Sequence, residues 1–219
     1  MAFFDRFRVE LGKYEDGVHD VGEPVDAAKL KGLPAQLADF YRSWNGVRLF
    51  ADTIVIDPIG SERLGEWPEG TLELDSDGRV RSRDEEGAIV VGSTLEKFLA
   101  TVMAREGLLV ERDGEFKDVF EEDDVEPRVH EKQTRVALKI DPDAAAWHLE
   151  AAERAFDEGD DAAAEAALAR AGEPAALRRA VAAFAERYVH RDRCPADDLL
   201  DHAATSTLPE DFDGQHAQA

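Results

Sequence analysis

Apolar positions along the chain switch between helical and strand periods several times. Phe3, Phe4, Phe7 and Leu11 fall near one face of a short helix over residues 2–12. A polar stretch with Gly and Pro, from Asp16 to Pro24, leads to Leu33, Leu37, Phe40, Tyr41 and Trp44, which share one face of a second helix. Pro34 suits its first turn, where no N–H is needed. Asn45-Gly46 is expected to stop it, because glycine takes the left-handed conformation that closes a last turn. The β-branched run Thr53–Ile56, ended by Asp57-Pro58, reads as a buried strand, and residues 60–70 read as loop.

Two Asp-Gly pairs then predict hairpins. Asp77-Gly78 joins strands over Thr71–Leu74 and Arg79–Ser82, and Asp113-Gly114 joins Leu108–Arg112 to Glu115–Phe120. Between them lie a strand at Ala88–Val91 and a helix carrying Leu95, Phe98, Leu99, Val102 and Met103, opened by a Ser93/Glu96 capping box. This order is that of an α+β fold with a mixed, mainly antiparallel sheet and packed helices. Glu121–Glu126 and Pro127 read as a solvated boundary, so residues 1–126 form the expected first domain. Residues 133–140 read as one last strand. Residues 127–202 otherwise form an Ala-rich helical extension, divided at Gly159-Asp160 and again at Glu173-Pro174, with a stripe of Leu177, Ala180, Val181, Phe184 and Tyr188. Trp147–Pro174 has a weak tetratricopeptide flavour in Trp147 and in Ala152, Ala164 and Ala171, although no second unit repeats it and a plain helical appendage also fits. Residues 203–219 are expected to form a disordered tail.

Charge changes this picture from scaffold to surface. The 219 residues hold 26 Lys and Arg against 49 Asp and Glu, for a net −23. Through residue 130 there are 16 basic and 30 acidic residues, and beyond it 10 and 19, so both halves are acidic. Such a surface repels nucleic acid and anionic membranes and attracts basic proteins; it also keeps a protein soluble, and the composition is compatible with both uses. No apolar run reaches the ~18 residues of a membrane span. Charges at Asp5, Arg6 and Arg8 interrupt any signal peptide, and Cys194 is the single cysteine, so a cytoplasmic location is expected.

Candidate chemistry is sparse. Glu73, Asp75, Asp77, Gly78 and Asp84 have a calcium-loop cadence, but strand flanks and Arg79, Arg81 and Arg83 favour a hairpin. His190/Cys194 and Asp198/His202 share helical i, i+4 spacing without any recognised metal pattern. No nucleophile elbow or phosphate loop is present. The reading is therefore no catalytic residue, no cofactor and no metal. Trp44 fits a core stripe, whereas Trp67, in a Gly/Pro loop, fits either core or interface anchor.

Leu33-Pro34, the helix through Phe40, Trp44-Asn45-Gly46 and the following strand, together with Ser93, Glu96, Phe98 and Leu99, resemble the signature of the SUKH superfamily over roughly residues 20 to 125. That superfamily contains bacterial toxin-immunity proteins and fungal regulators of cell-wall synthesis, and its motifs are mainly structural. The resemblance implies a non-enzymatic protein-binding module, an immunity protein that neutralises a toxin (nucleases being one class) by direct contact. The alternative is a regulatory scaffold that binds a cellular partner through the helical extension. A basic toxin domain would meet the carboxylates around the first strand and loop, Asp52, Asp57, Glu62, Glu66 and Glu69, with Trp67 beside them, and the run Glu121, Glu122, Asp123 and Asp124. Neither nucleic acid nor membrane is an expected partner, and the oligomeric state is left open.

Overall fold

In the computed structural model, which describes residues 3–85, 87–117, 125–173, 176, 179 and 180, one antiparallel sheet dominates the first part of the chain. Its strands are β1 (His19–Val21), β2 (Val47–Leu49), β3 (Ile54–Ile56), β4 (Gly65–Trp67), β5 (Gly70–Leu74), β6 (Val80–Asp84) and β7 (Gly87–Gly92). Each pairs with its neighbour in sequence, so the sheet is a meander with β1 and β7 at its edges. Helix α1 (Phe3–Leu11) precedes it, α2 (Ala35–Ser43) lies between β1 and β2, and α3 (Leu95–Glu106) follows β7. Three further helices are α4 (Val125–Ile140), α5 (Ala145–Asp157) and α6 (Asp161–Ala171). The architecture is α+β, as the element order predicts.

Register separates a buried from a solvated side. Val47 faces Ile56 and Leu49 faces Ile54, all four buried, while between them Arg48 faces Val55. Leu72 opposite Ser82 continues the buried side, and Glu73 opposite Arg81 the polar one. Only β3, β5, β6 and β7 lie in segments whose composition reads as strand. β1, β2 and β4 are three residues each, too short for an alternation to register, and are fixed by their neighbours' ladders. The expected loop at 60–70 thus contains β4 and the start of β5.

The aromatic core forms where α1 meets α2. Phe40 and Tyr41 are buried on α2, Leu33 and Leu37 are half-buried, and Trp44 is 1% exposed one residue past the helix. Its ring lies 5.5 Å from Phe4, 5.9 Å from Phe7 and 6.1 Å from Phe40, with the Arg8 guanidinium 5.4 Å above it. The chain leaves α2 through an extended Trp44, and Gly46 takes the positive φ of 90°. A Cβ there would sit 2.8 Å from the Ile56 carbonyl oxygen, so glycine is required by both conformation and space. Asn45 Oδ1 accepts from the Ile59 N–H at 2.9 Å, tying the break to the chain beyond β3. Pro34 stands just before the helix rather than inside it, its carbonyl accepting from Ala38.

Three expectations give way. The helix α3 is capped by Thr94, whose side chain accepts from the Lys97 N–H, and not by Ser93. Ser93 is diverted: its N–H and Oγ donate to Asp141 at 2.6 and 2.7 Å. Residues 133–140 are helix, not strand. Val129, Gln133 and Ala137 are buried at i, i+4 and i+8, with α4 packed along α3 and Gln133 donating to the Arg105 carbonyl at the end of α3. The second hairpin shrinks to a turn with one bridge, Val110 to Phe116, because the Leu108 and Leu109 N–H groups bond back to Arg105 and Glu106 and close α3. Residues 118–124 lie outside the described residues.

The chain divides into two compact units, Met1–Trp147 and His148–Ala219, so α4 belongs with the sheet and the division falls beyond the expected residue 126. In the second unit, α6 opens with Asp160 capping the Ala163 N–H and closes at Gly172, after the expected break at Gly159-Asp160. Ala152, Phe156, Ala164 and Leu168 are buried. Of the third helical stripe, Ala180 is described and helical; Leu177, Val181, Phe184 and Tyr188, and the tail 203–219, lie outside the described residues. Among the described residues no helix is long and apolar enough to cross a membrane.

Two substitutions probe this core. Trp44→Ala removes a large buried ring and is expected to cost about 3–5 kcal/mol in urea melts. Asp141→Ala strands the two Ser93 donors and is expected to cost about 2–4 kcal/mol, with Asp141→Asn, which keeps one acceptor oxygen, recovering part of it. Unchanged melting of Asp141→Ala would show that α4 is held by its apolar face alone.

Candidate functional site

Three of the carboxylates singled out in the sequence, Asp52, Asp57 and Glu66, are held by arginines. Arg48 on β2 pairs with Asp52 at 2.8 Å. Arg63, before β4, pairs with Asp57 at 3.0 Å and also with Glu66, joining β3 to β4. Glu62 and Glu69 are exposed in the flanking loops, and the Glu69 carbonyl accepts from Ser82 Oγ. Gly65 lets the strands close: a Cβ there would lie 1.9 Å from the Val55 carbonyl oxygen.

The pattern continues across β5 and β6. Arg83 grips Glu73 with two parallel bonds of 2.7 and 3.0 Å. Asp75 takes Arg79 and Arg81, each at 2.9 Å, and its other oxygen accepts the Asp77 and Arg79 N–H groups to shape the hairpin turn. Burial pushes the Asp75 carboxyl up, but the Arg79 amide and the Arg81 and Arg79 guanidiniums outweigh it and hold it at about 2. The Glu73 carboxyl is lowered by its bonds from Arg83. These arginines occupy Glu73, Asp75 and Asp77 of the calcium-like cadence. From Arg48 to Arg83 the chain sets five arginines (48, 63, 79, 81, 83) against eight carboxylates (52, 57, 62, 66, 69, 73, 75, 77), and the arginines pair with six of these (52, 57, 66, 73, 75, 77), so the surface is a mosaic of paired charges with a small acidic excess.

Trp67 points the other way. Its indole N–H donates to Ser82 Oγ at 2.7 Å, and its ring meets Phe98 at 5.8 Å and Trp147 at 6.0 Å. It packs with the helices and is not grouped with the carboxylates. Trp147 in turn lies under the Arg105 guanidinium at 4.5 Å, within the sheet unit. Glu121, Glu122, Asp123 and Asp124, like His190, Cys194, Asp198 and His202, lie outside the described residues. Among the described residues no three His, Cys, Asp or Glu side chains converge as metal ligands.

One end of the mosaic rests on a strained turn. Phe50, Ala51 and Asp52 all take positive φ, at 52°, 51° and 69°, a run that costs free energy for residues with a Cβ. Buried Phe50 offsets it: its ring packs 5.6 Å from Tyr14 and 4.7 Å from His19, and its N–H donates to His19 Nδ1 at 3.2 Å. His19 is the residue the sequence did not mark. Burial lowers its imidazole from 6.5 to about 4, so it stands neutral with Nδ1 free to accept.

Comparison with family models, curated proteins and solved structures finds no match.

A depressed histidine pKa sets the sign of a pH effect. The stability contributed by neutral His19 is fully present above about 6.5 and is lost as pH falls toward about 4, where the folded protein also takes up the proton. The urea midpoint of the wild type should therefore drop more between these values than that of His19→Gln, whose amide oxygen can still accept from Phe50. Parallel pH profiles would show that His19 does not support the turn.

Proposed function

We propose that the protein is a non-enzymatic binding module that engages a protein partner through the solvated side of its sheet. The SUKH-like residues point to immunity, with a basic toxin domain as the partner. The observation that carries the reading is the arginine–carboxylate mosaic. Arg48, Asp52, Glu66 and Arg83 have side chains 53–56% exposed, and pairs so exposed contribute only about 0–1 kcal/mol each to folding. Their fixed geometry is better used in recognition, where pre-set charges define the register of a partner and penalise wrong ones.

Charge then acts at two ranges. The net −23 draws a basic domain from a distance, and the mosaic of paired charges sorts donors and acceptors on contact. Asp57, Glu66 and Asp52 can each exchange an arginine of this chain for a lysine or arginine of the partner, and the released Arg48 or Arg63 then meets a partner carboxylate.

The test is growth rescue on co-expression with the toxin encoded beside this chain's own gene. Rescue by the wild type is expected, and the double reversal Arg48→Glu/Glu66→Arg should weaken the complex by about tenfold or more while melting as the wild type does. The association rate should also fall as salt rises. Full rescue by the double variant would move the interface off the sheet, and absence of rescue by the wild type would end the immunity reading.

A further inference from the structure

A cleft of about 460 Å³ opens between α1, α3 and the turn that follows α3, and none of its lining residues belongs to a strand. Its floor is apolar: Phe3 and Phe7 from α1, Ala100, Met103 and Ala104 from α3, and Val110 beyond it. The short Ala100 and Ala104 side chains leave the space that larger residues would fill. Gly107 closes one end, where a Cβ would press against the Tyr14 hydroxyl at 3.0 Å.

The rim is the reverse of the rest of the protein. Arg6, Lys13, Arg112 and Lys117 surround the cleft against Glu10 and Glu111, an excess of positive charge in a chain of net −23. Lys13 is paired with Glu10, and the Lys117 amino group donates to the Gly107 carbonyl at 2.8 Å. The Arg6 and Arg112 guanidiniums have no ion-pair or hydrogen-bond partner among the described residues. Tyr14 adds a hydroxyl at the same edge, its pKa raised by burial and by Glu10 against the opposing Lys13 and Arg112.

We infer that this cleft binds a small amphipathic anion, an aliphatic chain with one carboxylate head, laid along Phe7 and Met103 with its charge among Arg112, Lys13 and Tyr14. Two properties select that class. The volume falls within the roughly 300–1,000 Å³ of small-molecule sites, and the lining combines an apolar bed with a few converging donors. Guanidiniums with no partner among the described residues, beside an apolar floor, favour an anion with a hydrocarbon body over a neutral or cationic one. This site is separate from the sheet and does not rest on the partner proposed above.

Calorimetric titration of the full chain with hexanoate, octanoate and decanoate, below their micelle concentrations, tests it. Affinity is expected to rise about threefold to fourfold per methylene, and octanoate to bind about tenfold or more tightly than 1-octanol or octylammonium. Arg112→Glu should weaken octanoate about tenfold or more, and Ala104→Trp, which fills the cleft, should abolish binding. Arg6→Glu serves as a second rim variant if Ala104→Trp fails to melt as the wild type does. Equal affinity for octanoate and octylammonium, binding that ignores chain length, retention by a folded Ala104→Trp, or no saturable binding of any carboxylate would each overturn the inference. An acidic apolar peptide that alone saturates the cleft would assign it to a protein partner instead.

Discussion

A carboxylate withdrawn wholly from water must find its hydrogen bonds inside the protein, and Asp141 finds them at the junction of β7 and α3. It accepts from the Ser93 N–H and hydroxyl, and Lys97 supplies a counter-charge at 3.3 Å while also reaching Asp143. The residue stands directly after α4, so satisfying it fixes where that helix ends and which face it turns to α3. The start of α3 depends on the same arrangement. With Ser93 engaged, capping passes to Thr94, and the first N–H of the helix, that of Leu95, is met by Gln36 Oε1 from α2. Gln36 also donates to the Gly78 carbonyl, which brings the β5–β6 turn to the same point. Four elements are thereby referred to a few polar contacts laid over an apolar interior.

That interior is built from rings. Among the described residues no acceptor reaches the buried indole nitrogen of Trp44, and the ring is held by edge-to-face contacts with Phe4 and Phe40 and by the Arg8 guanidinium. Such contacts each contribute of order 1 kcal/mol beyond burial, and they orient α1 on α2. Trp67, Phe98 and Trp147 form a second group that locks β4 to α3. Between the two groups the sheet can leave its other side to water. The same packing leaves α3 short side chains where it passes α1, and the cleft results.

How far the sequence reached depends on the length over which a signal repeats. The faces of α1, α2 and α3, the Asn45-Gly46 break, the Asp77-Gly78 hairpin and the α5–α6 break were all legible, since each rests on several residues in period or on a turn that only glycine accommodates. Strands β1, β2 and β4 were not: like β3 they have three residues, too few to show a period, and they lack the β-branched run of Thr53–Ile56 that marks it. Gln133–Ile140 alternates like a strand locally, and burial of Val129, Gln133 and Ala137 against α3 made it helix. At the candidate site, the sequence named Asp52, Asp57 and Glu66 but not the arginines that neutralise them, nor His19 beneath the turn.

The one-dimensional chain therefore determined the class of the fold, the abundance of negative charge and most turns, which are local or summed properties. Tertiary structure decided which charges meet. Arg63 lies between Asp57 and Glu66 only because β3 and β4 pair, and Arg83 reaches Glu73 only across the β5–β6 ladder. Coulomb energy depends on separation in space, which sequence distance does not fix. For the same reason an overall charge of −23 coexists with a sheet surface of paired charges and a cleft whose lining holds more cations than anions.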